Sequence, residues 1–409
     1  MLSKSWKCLF FASYVFFSCQ ISRAEDCWLS VSGSGLKNGK DALNAYSASD
    51  KPQSKYAQIC WDQTSPDGTM HIMEGEYTVE NGAFWQLRMT SSHDGSAAPG
   101  KKFKKMAGEG SVLLRGPRRI PYAPSRKAEG GRWIDIARGA SRIWIQNFHV
   151  ARVAEGIAAK EGRNSNLQFH DLHFEDTREN FIIFGKMSRD ILIQNTWGKR
   201  YSKRHVRLGH GVSKVRVVNS HANAGFLDGD FAVGFDVENQ SQDIEFNRCS
   251  ARANLYTLSP YWNGDGFKAE DETRNIRWID CASFDNGDAG FDIKTGNAYL
   301  ENIIALRNNR NIRTWSFQKA TVKNAHASYA KHRGGMGAAA GIWSVGSLDC
   351  RSCTLRNNLI QVLAENNEKG GHIRLYDSFL CRDAPAEGPA IVEENGSRID
   401  LIRTTQCQE

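Results

Sequence analysis

The segment NGDGFKAED, residues 263–271, places a lysine among carboxylates. Lys268 lies three residues after Asp265 and two residues before Glu270. A lysine removes a proton from a substrate only in its neutral form, which requires a pKa well below about 10.4. Nearby carboxylates favour the charged ammonium instead. The chemistry open to Lys268 therefore depends on which side chains the fold brings beside it.

A sequence repeat predicts those neighbours. The segments RIWIQNFHV, NLQFHDLHF, DILIQNTWG and KVRVVNSHA alternate apolar and polar residues, and their Asn or Asp recurs every 24 residues, at Asn147, Asp171, Asn195 and Asn219. Alternation with a period of two indicates strands, and this repeat length without a helical stripe indicates stacked coils. A β-sandwich would show hairpin signals, and propeller blades are longer, about 40 residues. We therefore predict an all-β single-stranded solenoid, a parallel β-helix of about 10 coils of about 24 residues, with a ladder of Asn and Asp at one turn.

A second strand recurs in every coil, in the versions GIAAK, NFIIF, HVRLGH, GFDVE, GFKAE, GFDIK, NIRTW and GIWSV. In each, one apolar residue is expected to point inward and the next residue outward. The predicted outward row is Ala158, Ile182, Arg207, Asp236, Lys268, Asp292, Arg313 and Trp343. A second outward row, two residues on, contains Glu238, Glu270 and Lys294. Coils stack about 4.8 Å apart, so Asp236 and Asp292 flank Lys268. Without a bound cation, this pattern is typical of a surface charge ladder in which each pair contributes about 0–1 kcal/mol.

Two long coils surround the charged strands. The interval from Asn219 to Arg248 is 29 residues and that from Arg248 to Asp280 is 32. The extra residues lie in NAGFLDGDFA and ANLYTLSPYWN, just before the charged strands, where loops can wall a groove. The side chains predicted to contact a substrate in this groove are Lys203, Arg204, Tyr261, Trp262, Glu270 and Lys294. For each of the aromatic residues, the competing interpretation is simple packing within the loop.

The chain has 409 residues and a formal net charge of +8. Residues 1–24 combine Lys4 and Lys7, an apolar run and a small-residue site ending at Ala24, which is typical of a signal peptide. We expect a secreted or periplasmic monomer, with residues 25–129 as an N-terminal cap with the first strands and residues 130–409 as the β-helix. GTMHIMEGEYT is predicted to be an opening strand and turn, and GSAAPGKKFKKMAGEG a surface loop. No later stretch reaches the 18 apolar residues typical of a membrane span.

Eight cysteines remain after the predicted signal peptide, and disulfides are expected in an exported protein. Cys27 and Cys60 are predicted to staple the N-terminal region. Cys249 and Cys281 occupy equivalent places in neighbouring coils, as a buried stack or as a bridge. The pair Cys350 and Cys353 lacks the second pair of ligands that a zinc site requires.

The residues 263–309 resemble polysaccharide lyase family 9 pectate lyases and their right-handed parallel β-helix relatives. The resemblance is carried by an N-G-x-G-F-K motif at residues 263–268 and by G-F-D at residues 290–292, with Asp280, Cys281, Ser283, Asp285 and Asn286 between them. It implies a right-handed β-helix and β-elimination on a uronate, with Lys268 as the base that takes the proton at C5. Arg207 and Arg313, farther along the row, are predicted to assist this base by favouring its neutral form.

The same resemblance implies calcium, which would neutralise the substrate carboxylate. The family's calcium strand falls on residues 232–236, where Asp236 alone retains an aspartate of the motif, and Asp228 and Asp230 are predicted to substitute for the others. Together with Asp265 and Asp292, these are the candidate metal ligands. A second register places Asp265, Asp288 and Asp292 on the calcium coils and leaves the base to Lys331.

The leading prediction is an exported lyase that acts on an acidic, uronate-containing polysaccharide, a partner that suits a basic protein. A glycoside hydrolase, which needs two carboxylates, could draw them from Asp236, Asp265, Glu270 and Asp292. Two further hypotheses are a uronate epimerase and a non-catalytic carbohydrate-binding surface protein. The sequence shows no recognition helix, finger or RNP-like motif, so no nucleic-acid partner is predicted.

Overall fold

Parallel strand pairing organises the whole chain. The computed structural model describes residues 25–50, 53–90, 103–120, 129–228, 230–315, 319–365, 371–383, 390–394 and 396–407. The predicted signal peptide lies outside the described residues. Within them the strands form two parallel sheets, one of 23 strands and one of 12 strands, so the predicted parallel β-helix is confirmed. The described helices include none long and apolar enough to span a membrane.

The described residues before residue 130 form seven strands, together with the helix α1, Gln53–Gln63, and a 3₁₀ turn, Ala42–Asn44. These strands are β1 Cys27–Ser30, β2 Tyr46–Ser47, β3 Thr69–Ile72, β4 Gly75–Thr78, β5 Leu87–Met89, β6 Lys104–Gly108 and β7 Val112–Arg115.

The strands that follow repeat with the coils. They are β8 Arg132–Ile136, β9 Ser141–Ala151, β10 Glu155–Ala159, β11 Ser165–Glu175, β12 Glu179–Phe184, β13 Arg189–Lys199, β14 Arg204–Gly209, β15 Ser213–Val218, β16 His221–Asn223, β17 Val233–Val237, β18 Gln242–Asn247, β19 Ser250–Arg252, β20 Phe267–Ala269, β21 Arg274–Ile279, β22 Ala282–Phe284, β23 Ala289–Ile293, β24 Ala298–Leu306, β25 Arg310–Thr314, β26 Lys319–Ser328, β27 Ala340–Ser344, β28 Ser347–Arg351, β29 Thr354–Arg356, β30 Ile360–Ala364, β31 His372–Tyr376, β32 Phe379–Cys381, β33 Ile391–Glu393, β34 Arg398–Ile402 and β35 Thr405–Gln406.

The predicted polar ladder bends the long strands of the larger sheet. Its residues all have positive φ, between 46° and 62°: Asn147, Asp171, Asn195, Asn219, Arg248, Asp280, Asn302 and Asn324. Asn and Asp reach this left-handed conformation more easily than other residues with a side chain. The Asn195 amide donates to Asp171 Oδ1 at 3.0 Å and accepts from Asn219 at 2.8 Å. The repeat in the sequence is therefore the repeat of a backbone turn.

The twelve-strand sheet, which runs in chain order from β5 to β33, carries the predicted charged row. On its inner side the Phe267 ring stacks on Phe235 at 4.8 Å and on Phe291 at 4.9 Å. On its outer side Arg207 pairs in register with Asp236, Asp236 with Lys268, Lys268 with Asp292, and Asp292 with Arg313. The predicted strand register is thus confirmed residue by residue.

The N-terminal region differs in part from the predictions. Strands β1, β3, β6 and β9 pair in parallel one after another, so the pairing crosses residue 130 without a break. The predicted surface loop is wrong for Lys104–Gly108, which forms β6. The Lys104 side chain is buried there, with its ammonium 4.5 Å from the Trp61 ring. Helix α1, which was not predicted, packs on β1, β2 and β5 and buries Ala57, Cys60 and Trp61.

Three disulfides join cysteines close in the fold: Cys27–Cys60, Cys350–Cys353 and Cys381–Cys407. The first confirms the predicted staple and ties α1 to β1. Cys249 and Cys281 are free and buried, so this pair forms the buried stack and not the bridge.

The ladder predicts a specific order of stability among substitutions at Asn195. Asn195→Ala should lower the free energy of unfolding by about 1–2 kcal/mol more than Asn195→Gly, because both lose the side-chain hydrogen bonds but only alanine resists positive φ. Urea unfolding followed by circular dichroism measures the difference. Equal losses for the two variants would contradict the role of the left-handed turn.

Candidate active site

The charged row lies beneath two loops, residues 253–264 and 330–339. Asp236, Asp292 and Arg313 are 0%, 1% and 3% exposed. The expectation of a surface charge ladder is therefore wrong, because the long loops cover the strands. Breaking a buried ion pair leaves an uncompensated charge and costs about 3–5 kcal/mol, much more than breaking an exposed one.

Arg313 is the centre of this buried network. Its guanidinium donates from Nε to Asp292 at 2.8 Å and from Nη1 to Asp288 at 2.8 Å. A third carboxylate oxygen, Asp265 Oδ1, lies 3.8 Å from Nη2. Arg310 donates to the other oxygen of Asp288 at 2.7 Å. Three aspartates from two neighbouring coils thus converge on one cation that belongs to the protein.

The carboxylates of this network differ in protonation. Burial, together with the charges of Asp292 and Asp288, raises the pKa of Asp265 to about 8. Its Oδ1 accepts from the Ala289 amide at 2.9 Å, whereas its buried Oδ2 has no hydrogen-bond partner. Burial also disfavours the charged form of Asp292, but Arg313 and Lys294 outweigh it and lower its pKa to about 2. Asp265 is therefore the carboxyl group in the site that holds a proton near neutral pH.

Lys268 is a partly exposed ammonium at the middle of the row. It forms an ion pair with Glu270, and its Nζ lies 3.9 Å from Asp236 Oδ1. Burial lowers the pKa of Lys268, but Asp236 and Glu270 outweigh burial and raise it above its ordinary value. The neighbours of Lys268 thus oppose the neutral form that a base requires.

Upstream of Lys268, the ion pairs divide into buried and accessible groups. Arg204 is buried and donates to Asp236 at 2.5 Å and to the Phe231 carbonyl at 2.8 Å, so it holds Asp236 and presents little surface to a substrate. Arg207 is more accessible and lies 2.7 Å from Glu238.

Lys203 differs electrostatically from Lys268. Its Nζ lies 3.9 Å from Asp230, an aspartate held at 2.7 Å by Arg178 Nε. Burial, assisted by Arg178 and Arg204, lowers the pKa of Lys203, while Glu179 and Asp230 act in the opposite direction. Lys203 is therefore the lysine of this site that loses its proton more easily than a free lysine.

Four of the predicted residues form a line of accessible cations, here called the cationic strip. The exposed fractions of these side chains are 22% for Lys203, 24% for Arg207, 16% for Lys268 and 23% for Lys294. Lys294 bridges Glu270 at 2.7 Å and Asp292 at 3.6 Å, so it ties the second outward row to the first. Lys203 and Arg207 share one coil, whereas Lys268 and Lys294 lie on two later, neighbouring coils. The strip can therefore meet several negative charges of one extended polymer.

Tyr261 and Trp262 have different places in the covering loops. The Tyr261 hydroxyl receives a hydrogen bond from Arg313 at 2.5 Å and donates to Asp288 at 3.1 Å, while part of the side chain remains exposed. Trp262 packs under Gly334 and Gly335, where added Cβ atoms would lie 2.5 and 2.7 Å from Trp262 atoms. Trp262 thus takes the packing role, and Tyr261 is the aromatic residue that faces the charged network.

The predicted metal ligands do not fit calcium. Asp236 is held by Arg204, Asp230 by Arg178, and Asp228 by Thr257, whose amide donates to it at 2.9 Å. Asp265 and Asp292 do converge with Asp288, as the second register proposed, but Arg313 lies between them. No group of three or more acidic, histidine or cysteine side chains in the described residues could hold a metal. Lys331, the base of that register, is an exposed loop residue.

Several members of the network were missed in the sequence. Arg310, Arg178 and Glu179 are buried or partly buried partners of the predicted residues. Arg178 lies just before β12, and Glu179 and Arg310 are the first residues of β12 and β25, outside the outward row that alternation identifies. The sequence signal that could have identified them is an arginine or glutamate at the start of this strand in consecutive coils.

Comparisons with solved structures return parallel β-helix enzymes at low similarity. They include pectate lyase Pel9A (12% identity, 94% of this chain and 79% of that chain covered, TM-score 0.41) and the periplasmic alginate epimerase AlgG (10%, 82% and 77%, TM-score 0.43). A mannuronic acid-specific family 6 lyase from human gut microbiota also matches (10%, 83% and 78%, TM-score 0.44). No family model and no curated protein matches the chain. Similarity at this level carries no argument about substrate or residue roles, and the fold rests on the strand pairing.

The position of Arg313 predicts a calcium response that appears only when the arginine is removed. Arg313→Met should lower the free energy of unfolding by about 3–5 kcal/mol, because three buried aspartates lose their shared cation. Calcium should recover part of this loss, since a divalent cation is then the remaining partner for the carboxylates. Thermal unfolding in calcium and in EGTA measures both effects.

The exposed Arg277→Met is the matched control, which should change little and show no calcium response. A wild-type protein stabilised by calcium, with the effect abolished in Asp292→Asn, would instead show that the native site takes the metal.

Proposed function

We propose that the protein is an exported lyase that cleaves an acidic, uronate-containing polysaccharide by β-elimination, with Lys268 as the base. The observation that carries the proposal is the cationic strip, in which Lys268 lies between accessible cations on a floor of buried, fixed charges. Fixed charges stabilise a developing negative charge without reorganisation. A polymer with a carboxylate on each sugar matches cations that are spread over several coils.

In the proposed reaction Lys268 Nζ takes the proton from C5 of a uronate. The electron pair of the C5–H bond forms the C4–C5 double bond, the C4–O bond breaks, and the leaving oxygen takes a proton from water. Lys203, Arg207 and Lys294 bind carboxylates of the chain and lower the cost of the charge that develops at the reacting sugar. The buried network around Arg313 fixes strand β23, which pairs with β20, the strand of Lys268. No step passes through calcium, because the candidate ligands are already bound to arginines or to Thr257.

The raised pKa of Lys268 predicts an alkaline pH profile. With a pKa at or above about 10.4, about one lysine in a thousand or fewer is neutral at pH 7.4. Below its pKa, the neutral fraction rises about tenfold for each pH unit. The initial rate should therefore rise steadily from pH 7 to pH 10. Ultraviolet absorbance of the unsaturated ends, on polygalacturonate and on alginate, measures this rate, and a maximum near neutral pH would contradict a base with a raised pKa.

Substitutions at Lys268 separate its role as a base from a role as a fixed charge. Lys268→Ala and Lys268→Arg should both abolish elimination, because arginine keeps the charge but cannot deprotonate. Lys214→Arg, on the other sheet and exposed, is the matched control and should keep full activity. Activity that survives Lys268→Arg would assign Lys268 to charge neutralisation, and Lys203 would become the next candidate base.

The pKa of Asp265 supports a glycoside hydrolase as the second candidate. A carboxyl group that stays protonated near neutral pH can act as a general acid, with an ionised partner such as Asp292. New reducing ends without ultraviolet absorbance, lost in Asp265→Asn, would establish this activity. Solvent deuterium incorporated at C5 without chain cleavage would establish an epimerase, and polymer binding without any of these products would leave a carbohydrate-binding protein.

A further inference from the structure

A second groove lies on the larger sheet, outside the candidate active site. It has a volume of about 600 Å³ and runs over β13, β16 and β19. Its walls are formed by outward side chains of three successive coils, chiefly Trp197, Lys199, His221, Asn223, Ser250 and Arg252. None of these residues belongs to the cationic strip or to the Arg313 network.

The groove forms because the outward side chains change size from coil to coil. Trp197 is in register with His221, and His221 with Ser250. Ala282 follows Ser250 in the same row, so large rings give way to small side chains. The surface therefore steps down beyond His221, the neighbour of Trp197 in the row. An exposed aromatic ring at the edge of such a step offers a flat face to a ligand.

Trp197 is exposed although its neighbours in the row are stacked. His149 and His173 stack with centroids 4.4 Å apart and planes 8° apart. Trp197 is 43% exposed and tilts by 39° from His221, at a centroid distance of 5.8 Å. A large apolar ring left open to solvent in a walled groove is typical of a binding surface.

The polar groups of the groove favour an anionic ligand. In the part of the chain that the structure describes, its lining contains the cations Lys199 and Arg252 and no aspartate or glutamate. Glu175 stands next to Lys199 in the same outward row, one coil earlier, and is held at 2.9 Å by both Lys199 and Arg200. His221 shares a hydrogen bond of 2.8 Å with Ser250, and Asn223 lies between Lys199 and Arg252 in the ladder. The groove thus combines a flat apolar face, hydrogen-bonding side chains and two cations, Arg252 and Lys199, of which Lys199 is shared with Glu175.

We propose that this groove is a second binding site for an acidic polysaccharide, in which Trp197 stacks on a sugar ring and Lys199 and Arg252 bind its carboxylates. The proposal rests on the substrate class proposed above, but not on any reaction. Along the chain, the turn at Arg200 and the described residues 224–228 and 230–232 lie between the groove strands β13 and β16 and the next strands, β14 and β17, of the smaller sheet. One polymer chain bound at both surfaces has a higher effective concentration at the reacting site.

Affinity electrophoresis through gels that contain polygalacturonate or alginate tests this site. All measurements use the Lys268→Ala background, so that the polymer is not degraded. Trp197→Ala should raise the dissociation constant about threefold to tenfold, the range expected for one aromatic contact. Arg252→Gln should raise it on both polyuronates and have no effect on neutral dextran. Phe379→Ala, an exposed aromatic in the same outward row, is the matched control and should leave binding unchanged.

Three results would overturn the proposal: no retardation of the background protein by either polyuronate, equal retardation of Trp197→Ala and the background, or equal retardation by double-stranded DNA. Because the gels measure binding without turnover, failure of the elimination assay and failure of the groove are separate outcomes.

Discussion

A parallel β-helix places each side chain directly over its equivalent in the next coil, about 4.8 Å away. In a row of buried charges this spacing favours alternation, since like charges at that distance repel strongly where solvent is excluded. The more exposed second row, in contrast, places Glu238 beside Glu270. The row from Arg207 to Arg313 obeys this constraint, and each carboxylate in it touches a cation from an adjacent coil. Coil stacking therefore sets the order of the charges in the candidate site, and the loops determine which of these charges are exposed to solvent.

Covering the row changes what its charges can do. Arg313 is surrounded by Asp265, Asp288 and Asp292, so its charge is used inside the protein. Lys268 and Lys294 sit at the edge of the same network and keep part of their surface open. The buried members set the potential, and the exposed members are the ones that a ligand can contact. This division explains how one row holds both rigid structural ion pairs and accessible cations.

The fold was predictable because its signals are local. Period-two alternation and the left-handed turn each depend on a few neighbouring residues, so the positions of Asn195 and Phe267 could be predicted.

The candidate site was predictable only along the strand. Arg310 and Glu179 act from the first positions of their strands, outside the outward row. Tyr261 reaches Arg313 across 52 residues of sequence, a contact set by loop conformation. Burial of the row could not be predicted either, since loop length shows that a loop exists but not where it lies. The resemblance to a lyase family implied a metal at Asp236, whereas the structure supplies Arg204.

The packing of Trp262 under Gly334 and Gly335 has a consequence for the order in which the molecule is completed. Trp262 precedes β20, and the glycine loop precedes β27, three coils later in the chain. Coils can stack one after another as they leave a ribosome or an export channel, because each contacts chiefly its neighbours. The loops over Arg313 can pack together only after Gly334 and Gly335 have been synthesised. If the coils fold in chain order, the charged row forms first and is open to water. Its burial under the loops is then one of the later events of folding.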